Sequence, residues 1–87
     1  MMNELERELA ELMIRELNLE DIQIADVSPD MVLYGEGFGL DSIDILEIAL
    51  LISKKYGFEL RSDNPDNKRI FATLGALAAY VTEHRVR

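Results

Sequence analysis

The run Gly39-Leu40-Asp41-Ser42-Ile43-Asp44-Ile45-Leu46-Glu47-Ile48-Ala49-Leu50-Leu51-Ile52-Ser53-Lys54-Lys55-Tyr56-Gly57 decides how the rest of the chain is read. It passes from a glycine-rich loop into an apolar helix, predicted over residues 42–56, and Gly57 is a natural C-terminal stop. Lys54 and Lys55 fall in the last turn, where the helix dipole favours positive charge. Two apolar stripes run along it. Ile45, Ile48, Ala49, Ile52 and Tyr56 fit a face turned to a core. Ile43, Leu46 and Leu50 lie well around the helix from them. A small domain needs only one buried face, so the second stripe implies either an enclosed helix or a surface for a partner.

Ser42 opens this helix and offers one primary hydroxyl. By position alone it is a helix-start residue. The alternative is a modified residue, because a phosphate ester at a helix N-terminus meets the dipole and free backbone N–H groups. Asp41, Asp44 and Glu47 follow at spacings of three. They suit the helix dipole, or form an acidic recognition patch; a calcium loop would need more oxygen ligands at alternate positions.

Working outward, Asn3 to Leu17 carries Leu5, Leu9, Leu12, Met13 and Leu17 at helical spacing. Asn3 and Glu6 have the spacing of a capping box. Residues 18–41 form a long connection, with little regular structure expected beyond a helical turn near Asp30-Met31-Val32. Ile22, Ile24, Val27, Val32, Leu33 and Phe38 are expected to pin it to the core. Gly35, Gly37 and Gly39 lack the spacing of a dinucleotide loop and serve as turn formers. The polar run Arg61 to Asn67 reads as a loop. Asn64-Pro65 is expected to start a short helical turn through Ile70. Thr73 caps a last helix ending near His84, with Leu74, Leu77, Ala78 and Val81 inward and Tyr80 beside them. His84 reads as a frayed surface residue. Phe38, Tyr56, Phe58, Phe71 and Tyr80 are assigned to the core. The expected architecture is all-α: a bundle of three longer helices plus a short third one, with a long loop after the first, in a single domain spanning 1–87.

Bulk properties narrow the function. The 87 residues contain no cysteine, which removes disulfides and thiol catalysis. The formal charge is −8, so nucleic acid and anionic membranes are poor partners and basic protein surfaces good ones. Residues 1–30 hold nine acids and two bases, while residues 61–87 hold three acids and five bases. The molecule is therefore expected to be a charge dipole. No apolar run reaches the roughly 20 residues of a membrane span, and a soluble, cytoplasmic monomer is expected. No nucleophile has a base beside it in the sequence, which argues against an enzyme.

Gly39-Leu40-Asp41-Ser42-Ile43-Asp44 resembles the Asp-Ser-Leu motif of acyl carrier proteins, with Ile43 in place of the leucine. The order, size and acidity of the predicted helices resemble that family over nearly the whole chain. So does the tail Thr73-Leu74-Gly75-Ala76-Leu77-Ala78-Ala79-Tyr80-Val81. The resemblance implies covalent 4′-phosphopantetheine on Ser42, transferred from coenzyme A by a phosphopantetheinyl transferase, and acyl chains held as thioesters on its thiol. It implies that Asp41 belongs to the modification motif. It implies that Ile43, Asp44, Leu46, Glu47 and Leu50 meet partner enzymes bearing Arg and Lys. Ile48, Ile52, Leu74 and Ala78 are candidates for sheltering an acyl chain. Housekeeping fatty-acid carriers usually keep acids where this chain has Ser53, Lys54 and Lys55. That departure, with the stretch from Leu33 to Ser42, implies a specialised fatty-acid or polyketide-type pathway with its own enzymes. Peptidyl carriers usually place Gly-Gly-His or Gly-Gly-Asp before the serine; here Leu40 separates Gly39 from Asp41. A D-alanyl carrier shares the Leu-Asp-Ser start, and a helical adaptor binding basic proteins remains the non-carrier alternative.

Overall fold

A computed structural model describes residues 2–60 and 64–86. Four helices follow in order: α1 (Glu4–Glu16), α2 (Ser42–Tyr56), α3 (Asn67–Ile70) and α4 (Leu74–His84). Among the described residues there is no strand, only two isolated bridges, Val32 with Thr73 and Tyr34 with Leu40. The expected all-helical bundle is present, with its short third helix and its long first connection.

Local chemistry accounts for the helix ends. The Asn3 side chain accepts from the Glu6 N–H, and the Glu6 carboxylate accepts from the Asn3 N–H, so the capping box closes. Gly57 ends α2 in the left-handed region at φ 74°, a conformation open to glycine without a Cβ penalty. Thr73 caps α4 by accepting from the Ala76 N–H. The core gathers Leu9, Leu12 and Met13 of α1, Ile45, Ile48 and Ile52 of α2, and Leu74, Leu77 and Val81 of α4. Every residue of the inward stripe expected on α2 is buried.

The connection between α1 and α2 differs from expectation in three places. Its helical turn is a 3-10 turn at Ile24–Asp26 rather than near Met31, because Asp26 and Val27 donate back to Gln23 and Ile24. Val32 is 43% exposed and not a core anchor, since its backbone is held extended in the bridge to Thr73. Leu40 is buried in its stead. Val27, Leu33 and Phe38 are buried as expected, and Ile22 and Ile24 pack against the core at its edge. The loop is tied to the start of α4 by three backbone hydrogen bonds: Leu33 N–H to Ala72, Leu74 N–H to Met31 and Gly75 N–H to Pro29, at 3.3, 3.1 and 2.8 Å.

α3 begins at Asn67, two residues after Pro65, with Asp66 before it. The Asn64 carboxamide accepts from the Asp66 N–H, which makes Asn64-Pro65-Asp66 a turn ahead of the helix. The first part of the loop expected over Arg61–Asn67 lies outside the described residues, as does Arg87. Phe58 and Tyr80 sit at the core edge rather than inside it. His84 is exposed but not frayed: it closes α4, its ring stacked on Tyr80 at 4.0 Å between centroids.

Candidate functional site

Ser42 lies at the exposed start of α2, and Asp41, not Ser42, is the cap. The Asp41 carboxylate accepts from the Asp44 N–H at 3.0 Å, and the Asp44 carboxylate accepts from the Asp41 N–H at 3.2 Å. This second capping box fixes the backbone on both sides of Ser42 without using its side chain. Among the described residues, the Ser42 hydroxyl has no hydrogen-bond partner, and neither do the Ser42 and Ile43 N–H groups. Ser42 is the first residue of the helix, as expected, and its hydroxyl takes no part in the cap.

The approach to Ser42 is rigidly built. Gly39 holds φ 72°, and Leu40 next to it is buried and donates its N–H to Leu33. Gly37 passes so close to the backbone of Val32 that a Cβ there would overlap the Val32 carbonyl. The loop therefore delivers Asp41 and Ser42 to the helix start from a fixed direction.

Beyond Ser42, α2 presents Ile43, Leu46 and Leu50 to solvent at 74%, 44% and 54% exposure. At roughly 100° per residue, Ile43, Leu46, Glu47, Leu50 and Lys54 fall on one side, opposite the buried Ile45, Ile48, Ala49, Ile52 and Tyr56. The second stripe is therefore an open surface and not a second buried face. Asp44 lies on a flank of this side, half-buried, with its carboxylate engaged in the cap. Of the three acids, Asp41 caps the helix, Asp44 joins the cap from a flank, and Glu47 is exposed one turn further on.

The far end of α2 also sorts itself. Ser53 is a structural tie, which its sequence position did not show. Its hydroxyl donates to the Ala49 carbonyl and accepts from the Leu60 N–H, each at 2.9 Å, pinning the chain that leaves the helix. Lys55 reaches back to Glu8 of α1 at 3.7 Å. Lys54 alone of the three shares the side of Ile43 and Glu47. The Tyr56 phenol donates to the same Glu8 oxygen at 2.6 Å. Burial, then this bond, pushes its pKa above the usual phenol range.

Ile48, Ile52, Leu74 and Ala78 are all closed inside the core. A cleft of about 440 Å³ opens elsewhere, between α1 and the 3-10 turn, lined by Ile14, Ile22 and Ile24 with Glu11, Arg15 and Gln23. None of its lining belongs to α2. Among the described residues no group of three or more His, Cys, Asp or Glu side chains is placed to hold a metal, and no helix is long and apolar enough to cross a membrane.

A family model described as the phosphopantetheine attachment site matches residues 7–81. The chain belongs to this carrier family. Its cofactor is covalent 4′-phosphopantetheine. No curated protein and no solved structure matches the chain. The residues present fit that group: an exposed primary hydroxyl with no structural duty stands at a helix N-terminus whose first N–H groups are unused. Membership also implies exchange with a phosphopantetheinyl transferase and with modifying enzymes in general.

Proposed function

We propose that residues 1–87 act as one acyl carrier domain and that Ser42 is the attachment point. The observation that carries this reading is the idle, exposed Ser42 hydroxyl at the start of α2 within the matched segment. When bound, the cofactor supplies a thiol on a flexible arm, where acyl groups are held as thioesters. The chain's own residues do the rest. Asp41 and Asp44 hold the helix start in shape, and the unused Ser42 and Ile43 N–H groups with the helix dipole favour the phosphate anion. Ile43, Leu46 and Leu50 offer an apolar contact, and Glu47 with Asp44 steers enzymes bearing Arg and Lys. A contact of this size suits partners that bind briefly and leave.

The protein works as a cytoplasmic monomer, a shuttle that catalyses nothing itself. Acyl cargo is favoured over peptidyl cargo by Leu40, whose buried side chain stands where peptidyl carriers keep glycine. The cargo belongs to a specialised fatty-acid or polyketide-type pathway, because Lys54 breaks the acidic run usual on this helix. An acyl chain would shelter among Ile48, Ile52, Leu74 and Ala78 only by parting side chains that are now in contact with the core.

The test is intact mass after incubation with coenzyme A, magnesium and a broad-specificity phosphopantetheinyl transferase. The protein gains one phosphopantetheine, and Ser42→Ala gains none. Absence of a mass gain on folded protein leaves the helical adaptor as the better reading.

A further inference from the structure

Ile14, Ile22 and Ile24 are only partly buried, although the core beside them is closed. All three line the cleft of about 440 Å³ between α1 and the 3-10 turn. That volume falls within the range of about 300–1,000 Å³ usual for small-ligand pockets. The polar residues at its edge have neighbours of their own: Arg7 Nε lies 3.8 Å from the Glu11 carboxylate, and Arg15 Nε donates to Glu16 at 3.1 Å. The isoleucines are thus left for apolar contact. Ile22 also lines a second cleft, of about 260 Å³, together with Phe38 and with Asn18 and Leu19 just past the end of α1. The two clefts share Ile22. Phe38 stands four residues before Ser42, so their Cα atoms lie within about 14 Å of each other. By way of Phe38 and Ile22, the clefts connect the neighbourhood of Ser42 with the three isoleucines.

We propose that these two clefts receive a medium-length acyl chain carried on Ser42, with its far methylenes against Ile14, Ile22 and Ile24. Two observations choose this occupant. Ile48, Ile52, Leu74 and Ala78 are buried inside the core, so a chain entering there must first part them. The clefts require no such rearrangement, and covering their isoleucines removes apolar surface from water. Charge then selects the form of the chain. Glu20 and Asp21 line the second cleft, both exposed. The carboxylate of a free fatty acid would meet like charge there, whereas a thioester is neutral. This inference rests on the carrier reading and concerns only where the cargo lies.

The experiment uses full-length protein isotopically labelled at the isoleucine δ1 methyls. The transferase loads it from coenzyme A or from octanoyl-coenzyme A, with loading confirmed by intact mass. Both forms carry the arm, so the difference between their methyl NMR spectra reports the chain alone. The expected result is that the Ile14, Ile22 and Ile24 signals move while those of Ile48 and Ile52 stay. Movement of Ile48 or Ile52, alone or with the others, overturns the proposal, because the chain then enters the core. No movement of any signal also overturns it, because the chain then lies in water. Free octanoate added to the unloaded protein is expected to leave the cleft signals in place. If it moves them as far as the loaded chain does, the site takes a free fatty acid and the proposal fails. A second measurement follows cleavage of the octanoyl thioester by hydroxylamine. Ile22→Gln is expected to speed cleavage about fourfold, the equivalent of roughly one methylene returned to water. Val32→Gln, at an exposed apolar residue that lines neither cleft, leaves the rate unaltered. Equal rates for Ile22→Gln and the native sequence count against the proposal in the same way. Failure of Ser42 to load is a separate result, seen in the mass spectrum, and removes the carrier reading itself.

Discussion

At the scale of single residues, Asp41 and Ser42 divide the work that sequence position assigns to either. Asp41 carries the cap and Ser42 carries none of it. Asn caps as well as Asp, so Asp41→Asn is expected to leave thermal stability within about 0.5 kcal/mol, while Asp41→Ala loses about 1 kcal/mol. Modification rate separates the second role. If the Asp41 carboxylate is read by the transferase, Asp41→Asn slows loading of Ser42 in a protein as stable as the native one. Equal loading rates would restrict Asp41 to capping. The motif itself was legible in the sequence. Which of two adjacent polar residues holds the helix was not, because Asp and Ser are both good caps and only the backbone geometry chooses between them.

At the scale of elements, the bounds of α2 and its two apolar stripes were readable. Its period of 3.6 separates the stripe of Ile45, Ile48 and Ile52 from that of Ile43, Leu46 and Leu50, and the two prove to be buried and exposed respectively. The first connection was readable only in outline. Val32 loses the burial expected of it, and Leu40, for which none was expected, is buried, because pairing with Thr73 and Tyr34, distant or across a turn, sets their direction. Ser53 belongs to the same class. Its partner Leu60 lies beyond the Gly57 turn, so no helical periodicity signals the bond. Ser53→Ala is expected to leave the partly buried Leu60 N–H unpaired and to cost about 1–2 kcal/mol by urea unfolding. A substitution that merely alters the outer surface of α2 would change stability by less than about 0.5 kcal/mol.

At the scale of the molecule, one buried phenol joins three parts of the chain. Tyr56 at the end of α2 donates to Glu8 of α1, its carbonyl accepts from the Val86 N–H, and the Arg85 guanidinium lies 4.8 Å from its ring centroid. The neutral phenol is favoured in the folded state, so its folded pKa stands above its unfolded value of about 10. Its contribution is complete below that pH and is lost as pH rises beyond it. Tyr56→Phe is expected to lower stability by about 1 kcal/mol near neutrality and to flatten the loss above pH 10, read by denaturant titration across pH. An unchanged alkaline slope would place the cause in other groups. The charge asymmetry evident in the sequence is partly brought together here, since Arg85 lines a cleft with Glu4, Leu5 and Glu8.

The capping box around Ser42 has a consequence for how this chain can be altered. Its hydroxyl supports no part of the fold, and the carboxylates that do support it sit on the residues at positions 41 and 44. The atoms that hold the helix start and the hydroxyl proposed for modification therefore belong to different residues, and the hydroxyl can be removed without unmaking the cap.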